Sequence, residues 1–285
     1  MTVNSLRTAL DAIGQLPDAE IDLADAALQL ARIAEPDLDW RTARAHLTEL
    51  ARDAVDLAAE TPPGDLAARA GALAGLMAGR HGYRGDTETY DDLDNANLIR
   101  VIERRRGLPV ALGILWLHAA RAAGWAVRGV NFPGHFLIAL EDANSAQEEG
   151  GVRLVVMDLF DGGKVLDRSE LTRMLRRTYG QNAELGPNML AAMTTRDVLL
   201  RLQVNIKSRL LMIGQVQPAL AVVEDMLRLA PEEALLWREA AEINQRLDRV
   251  AAALKCYERF LVLFPHGEAA ARARAAMGQL RARLN

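Results

Sequence analysis

The C-terminal part of the chain repeats with a period of 34 residues, and this repeat constrains the fold more than any other sequence feature. Segments 199–233 and 234–268 align without a gap. Three pairs of identical residues share the separation: Ala219 with Ala253, Leu220 with Leu254, and Pro231 with Pro265. A fixed period of this length indicates a structural unit that stacks on a copy of itself.

A period of about 34 residues, helical content and a proline near the end of each unit are typical of tetratricopeptide repeats. The sequence therefore predicts two helical hairpins followed by a capping helix over 269–284. The alternative is a pair of unrelated helical hairpins. The single cysteine, Cys256, falls in the second repeat, where we expect it to pack between helices.

The middle of the chain has a different pattern. Residues 109–123 are apolar nearly all round, which predicts a buried helix whose first turn holds Pro109. Short β-type segments follow at 126–131, 136–140 and 153–159, and the polar stretch 141–151 is expected to be a hairpin loop. Helical spacing fills the N-terminal region. The fold class is thus α+β, with N-terminal helices, a small antiparallel sheet and C-terminal helical repeats. We expect domains at 1–80, 81–190 and 191–285.

Composition excludes several function classes. The net charge is −4, from 34 Lys and Arg against 38 Asp and Glu, which argues against a nucleic-acid binder that relies on global basic charge. The sequence contains no run of 18 apolar residues, so no membrane span is predicted. One cysteine excludes an internal disulfide and a cysteine-cluster metal site. We expect a cytoplasmic protein with no metal and no cofactor.

His135 and Asp158 are the strongest candidates for chemistry. His135 stands where the chain enters a strand after Pro133-Gly134, and Asp158 lies in the next predicted strand. In an antiparallel pair the two side chains could meet, and a carboxylate that orients an imidazole is the acid–base half of a nucleophilic triad. The alternative is a structural pair that ties two strands together. The other histidines show no ligand-like spacing with Asp or Glu.

Three longer motifs resemble the bacterial SirB-type proteins, which carry a transglutaminase-like core followed by tetratricopeptide repeats. The motifs are the stretch from Tyr90 through Asp94-Asn95 to Arg104-Arg105-Arg106-Gly107-Leu108-Pro109-Val110-Ala111-Leu112, the stretch Gly129–Leu137, and the stretch Asp158–Leu166. The resemblance covers nearly the whole chain. It implies a papain- or transglutaminase-like core, and it maps the family's His and Asp onto His135 and Asp158.

The chain departs from that pattern at the nucleophile. The resemblance places a thiol near Pro109, Val110 and Ala111, where this sequence has no Cys, Ser or Thr. Loss of the nucleophile removes nearly all of the rate enhancement of a triad, roughly a millionfold in turnover. We therefore expect a non-catalytic, transglutaminase-like scaffold or regulator. The alternative is a hydrolase or transferase that uses His135 and Asp158 without a cysteine.

The remaining expectations concern binding. A protein or peptide partner would be held by the repeat region and by the core cleft, with Asn95, His135 and Phe136 as candidate contacts. Asn95 could instead form a turn. The run 104–106, all arginine, could bind an acidic partner or form a solvated helix end. Nucleic acid and membrane are not expected as partners, and the sequence leaves the oligomeric state open.

Overall fold

A computed structural model describes residues 3–142, 153–186 and 188–283. The chain packs into two compact units. One, here the repeat unit, combines the residues up to Pro17 with those from Leu200 onward. The other, here the central unit, runs from Asp18 to Leu199. The division into domains at 80 and 190 remains a prediction.

Helices form the first half of the central unit, and aspartates begin three of them. Asp22, Asp39 and Asp65 each accept hydrogen bonds from backbone N–H groups in the first turn, which would otherwise lack a partner. The helix that begins after Asp65 continues into a π-helical stretch at Gly75–Arg80. The helices that precede the sheet are α2 (Leu23–Ala34), α3 (Trp40–Glu60), α4 (Leu66–Ala74), α5 (Leu98–Arg104) and α6 (Pro109–Ala122).

A four-stranded antiparallel sheet follows, and its strands are paired in chain order. The three β-type segments that the sequence predicts form its first three strands. Residues 143–151 of the expected hairpin loop lie outside the described residues. Two residue pairs, Arg84–Gly85 (β1) and Arg106–Gly107 (β2), form a short parallel ladder elsewhere. The sheet consists of β3 (Val127–Phe132), β4 (His135–Glu141), β5 (Leu154–Asp158) and β6 (Lys164–Leu166).

Both faces of the sheet are covered by helices. Helix α6 is buried around most of its circumference, as its sequence predicts, and it packs on β3 and β4. Helix α7 (Arg168–Tyr179) contributes Leu171 and Leu175 to a core with Leu137, Ala139 and Val156 on the other face. A sheet enclosed in this way leaves its strand ends as the accessible positions.

The repeat unit contains the helical hairpins that the 34-residue period predicts. Leu200 and Val204 of α8 (Thr195–Met212) pack into a core with α9 (Val216–Leu229) and α10 (Ala234–Arg246). A second core joins α10, α11 (Val250–Leu263) and α12 (Glu268–Ala282). Within the described residues, no helix combines the length and apolar character that a membrane crossing requires. Helix α1 (Val3–Gln15) also belongs to the repeat unit, and the residues of α8 up to Leu199 belong to the central unit.

Candidate functional site

The two residues singled out for chemistry lie at neighbouring strand ends. His135 is the first residue of β4 and is paired with Phe132 across the turn at Pro133 and Gly134. Gly134 has a φ of 75°, a conformation that L-residues with side chains rarely adopt. Asp158 is the last residue of β5. The tight turn fixes the register of β3 and β4, and therefore the direction of the imidazole.

His135 and Asp158 share one face of the sheet. Ala139 is opposite Val156 in the β4–β5 ladder, and alternate residues of a strand point to the same face. His135 therefore shares the face of Ala139, and Asp158 that of Val156. The register places Asp158 diagonally across from His135, a spacing of about 7–8 Å between backbones that long side chains can bridge.

No hydrogen bond joins these two described side chains. Asp158 Oδ1 instead accepts a hydrogen bond from the backbone N–H of Phe160 at 3.0 Å. Burial raises the pKa of Asp158, and the Phe160 N–H and the charge of His135 oppose that rise. The carboxylate thus senses the imidazole electrostatically but does not orient it. A general base held in one tautomer needs the direct contact.

The expected nucleophile position lies towards the opposite face of the sheet. Phe136 is 2% exposed, and its ring lies so close to α6 that a Cβ on Gly113 would be 2.2 Å from it. Because Phe136 points towards α6, its neighbour His135 points away from α6. The candidate acid–base pair and the N-terminus of α6 are therefore separated by the sheet.

The corner at the start of α6 is apolar and closed. Val110 and Ala111 are 1% and 0% exposed, and Pro109 occupies the first turn of the helix. The N-cap residue, Leu108, contributes no side-chain hydrogen bond. This corner offers neither a nucleophile nor a surface on which substrate could rest.

Asn95 holds a loop together. Its side chain is fully buried, and its Nδ2 donates to the carbonyl of Thr89 at 2.6 Å. The same loop is fixed by Asp86, whose carboxylate accepts hydrogen bonds from the backbone N–H and the hydroxyl of Thr89. These bonds, led by the Thr89 N–H, lower the pKa of Asp86 to about 2. The structure therefore gives Asn95 a turn-forming contact, while a role in binding stays a prediction.

The three arginines at 104–106 are engaged within the central unit. Each of the three side chains contacts a group from another segment of the chain. The run is therefore neither a free site for an acidic partner nor a helix end that is only solvated. Arg104 binds Asp86 at 2.8 Å, Arg105 donates to Tyr83 Oη at 2.5 Å and to His46, and Arg106 binds Glu88 at 3.0 Å. This motif of the sequence resemblance therefore has a structural role here.

A groove beside Arg105 was missed by sequence reasoning. His46 Nδ1 contacts Glu49 Oε2 at 2.8 Å, and its Nε2 meets the Arg105 guanidinium, which can only donate. His46 therefore donates from Nδ1 and is neutral; burial, chiefly, lowers its pKa. The spacing of His46 and Glu49, three residues apart on one helix, was the available signal. The groove of about 570 Å³ is lined by Asp39, Thr42, Ala43, Ala45, His46, Glu49, Arg52, Ile102, Glu103 and Arg105.

Polar contacts also connect the helices of the repeat unit. Lys207 Nζ lies 2.6 Å from Glu239 Oε2 and joins α8 to α10. Trp237 Nε1 donates to the carbonyl of Pro231 at 2.7 Å, which fixes the turn between repeats. Cys256 packs against both repeat cores, and burial raises the pKa of its thiol. The expectation of a packing role for Cys256 is confirmed.

Comparisons with known proteins agree with this architecture. The family model described as the transglutaminase-like superfamily matches residues 41–204, and a tetratricopeptide repeat model matches residues 206–281. A UPF0162 protein of Xylella fastidiosa is 29% identical over 259 residues, which are 89% of this chain and 88% of that protein. A UPF0162 protein of Vibrio cholerae is 28% identical, with 88% and 89% covered. The mouse F-box only protein 21 is 30% identical over 88 residues, 31% of this chain and 14% of that protein.

Proposed function

We propose that this chain, which belongs to the transglutaminase-like superfamily, is a non-catalytic scaffold that binds a segment of a protein or a peptide. The observation that carries the proposal is the closed apolar corner at Val110 and Ala111, where the sequence resemblance would place a nucleophile. A fold of this superfamily without a nucleophile retains shape and surface but no route to a covalent intermediate.

The repeat unit supports the binding half of the proposal. Tetratricopeptide helices stack into an extended surface that suits a peptide or a helix. Leu235 on α10 and Met212 on α8 are 54% and 81% exposed, so both apolar side chains are accessible to a partner. They are the positions at which we expect a partner to make apolar contact.

The alternative activity would use His135 as a base on water, with Asp158 in support. Such a base alone typically contributes about 10²–10⁴-fold. The missing hydrogen bond between the two side chains, and the sheet that separates them from α6, weigh against this alternative.

Finer statements belong with the same proposal. We place the chain among the SirB-type proteins and in the cytoplasm, with no cofactor and no nucleic acid as partner. His135, half-buried at the start of β4, would be a further contact for the partner, whereas Phe136 is buried against α6.

Site-specific photocrosslinking tests the binding half. A benzophenone amino acid at position 235 or 212 is expected to capture a discrete partner in cells, which is then purified and titrated against the full chain by calorimetry. Leu235→Glu should weaken binding at least about tenfold. Val55→Glu is the matched control, because Val55 is 53% exposed on α3 of the central unit. Equal affinity of both variants and the unmodified chain would refute the role of the repeat surface.

Activity measurements test the non-catalytic half. Amine incorporation into glutamine peptides, and hydrolysis of amide and ester substrates, are expected to match the rate without protein. His135→Ala should change neither. Turnover that disappears in His135→Ala would establish the enzymatic alternative instead.

A further inference from the structure

The outer side of α7 carries an arginine-lined groove that none of the features above explains. Its volume is about 700 Å³, within the range of ligand-binding clefts. Leu171 and Leu175 bury the inner side of this helix against the sheet, so the groove lies on the side away from the core. Its lining residues are Arg168, Ser169, Thr172, Arg173, Arg176, Arg177 and Gln181.

The arginines of this groove have no carboxylate partner among the described residues. Arg168, Arg173 and Arg177 are exposed and form no ion pair there, and Arg176 donates only to the carbonyl of Ala183, at 3.4 Å. In contrast, every arginine of the 104–106 run has a partner. Asp167 lies within electrostatic reach of Arg173 and offsets part of its charge, so the four guanidinium groups leave a net positive groove that an anionic ligand would complement.

The carboxylates at the start of α7 are already occupied. Asp167 accepts hydrogen bonds from the Ser169 hydroxyl at 2.7 Å and from the Glu170 backbone N–H at 2.8 Å. Glu170 binds Lys164 at 2.7 Å and completes the capping box of the helix. These contacts keep both acidic groups on the helix cap. The positive charge of the groove is therefore available to a ligand from outside.

We propose that this groove binds an acidic peptide segment in extended conformation, as a second contact of the partner-binding function proposed above, on which the inference rests. Arg173 and Arg177 are separated by about 6 Å along the helix axis and by only about 40° around it. Alternate residues of an extended peptide lie about 6.6 Å apart and point the same way. Carboxylates two positions apart can thus reach Arg173 and Arg177, whose planar guanidinium groups suit bidentate pairing with carboxylates.

A peptide fits the groove better than a nucleic acid does. None of the residues that line the groove is aromatic, so it offers no ring on which a base can stack. The net charge of the chain is −4, which opposes the approach of a long polyanion. A short acidic segment matches the limited positive surface.

The test measures the binding of synthetic peptides to the full chain by fluorescence anisotropy. One labelled ten-residue peptide alternates glutamate with serine, and its control replaces each glutamate with glutamine. The variant combines Arg168→Gln, Arg173→Gln and Arg177→Gln, and keeps Arg176 because of its hydrogen bond to Ala183. The matched control variant combines Arg272→Gln, Arg281→Gln and Arg283→Gln, which removes the same charge from the C-terminal helical end of the repeat unit.

We expect the acidic peptide to bind and the glutamine peptide not to bind. The α7 variant should raise the Kd at least about tenfold, the control variant less than about twofold, and 0.3 M salt should weaken binding several-fold. Equal binding of both peptides, equal effects of both variants, or tighter binding of a single-stranded oligonucleotide of the same charge would overturn the inference. Crosslinking at position 235 distinguishes a failure of this inference from a failure of the proposed scaffold function, because it reports on the repeat surface and does not involve α7.

Discussion

Gly14 is the position where the packing of α1 is most sensitive to a single atom. A Cβ on Gly14 would be 1.9 Å from the carbonyl oxygen of Arg228 and 3.0 Å from its carbonyl carbon, both in the backbone of α9. Real Cβ atoms essentially never approach a heavy atom within 3.0 Å, so Gly14→Ala must move α1 by at least about 1.1 Å. Backbone cannot turn aside as a flexible side chain can.

The contacts that this movement disturbs set its energetic cost. Leu6 and Leu10 on α1 are 2% and 0% exposed, and Arg7 holds the buried Asp225 of α9 through two hydrogen bonds, at 2.8 and 3.2 Å. Overpacking costs about 1–3 kcal/mol. Asp225 keeps a longer contact with Arg228 Nε at 3.6 Å, so weakening of the Arg7 pair adds less than the roughly 3–5 kcal/mol of a buried charge left without a partner. The gain in helix propensity from Gly to Ala, about 1 kcal/mol, offsets part of this. We expect a net loss of at least about 2 kcal/mol in the repeat unit.

Urea unfolding followed by tryptophan fluorescence measures this loss in a variant in which Trp40, Trp116 and Trp125 of the central unit are replaced by phenylalanine, so that Trp237 of the repeat unit gives the signal. With a slope of about 1–3 kcal/mol per M, the midpoint should fall by roughly 1 M. The control is Gly278→Ala on α12, where a Cβ meets nothing within 4 Å and should stabilise by about 0.5–1 kcal/mol. A midpoint for Gly14→Ala at or above that of the same variant with Gly14 would refute the reasoning.

Three further predictions concern the central unit. The pKa of Asp86 is lower in the folded state, so the ionised carboxylate stabilises the fold above about pH 4, and this stabilisation is lost as the pH falls towards 2. Asp86→Asn should lower the free energy of unfolding by about 2 kcal/mol at pH 7. An unchanged urea midpoint at pH 7 would contradict this. The pKa of His46 is also lower in the folded state, so the contribution of the neutral imidazole to the free energy of unfolding is complete above pH 6.5 and declines below it. An NMR titration of His46 with a midpoint above 6.5 would contradict this. The thiol of Ala111→Cys, in a Cys256→Ser background, should react slowly with iodoacetamide because position 111 is fully buried. Adding His135→Ala should not alter that rate. Fast labelling that depends on His135 would contradict the conclusion that the sheet separates His135 from the start of α6.

Local patterns predicted the elements of the fold, because their information is contained in neighbouring residues. The all-round apolar run at 109–123 becomes the buried α6, and the 34-residue period becomes the hairpins of the repeat unit. Helix α1 shows the limit of such patterns. Its apolar stripe indicates that it packs against something, but its partner α9 lies more than 200 residues away, as the separation of 218 between Arg7 and Asp225 illustrates. Periodicity contains no information about the partner.

The candidate site was harder to predict, because it depends on which face of a strand each residue occupies. Both faces of the sheet are covered, so β4 is a nearly continuous apolar run after His135 and does not reveal which residues meet α6. A shift of one residue would exchange the faces of His135 and Phe136. Two features select the observed register. One is the turn at Gly134, and the other is the absence of a side chain at Gly113, which leaves room for the Phe136 ring.

The same packing holds the transglutaminase-like core together around the apolar start of α6. The Phe136 ring fills the space beside Gly113, and the start of α6 is closed by its own apolar residues, so the fold is stabilised by burial at the place where a catalytic core would keep a cleft. A thiol placed at Ala111 would therefore not lie beside the imidazole of His135. For the two to meet, the imidazole would have to move to the other face of β4, and the ring of Phe136 would have to leave α6.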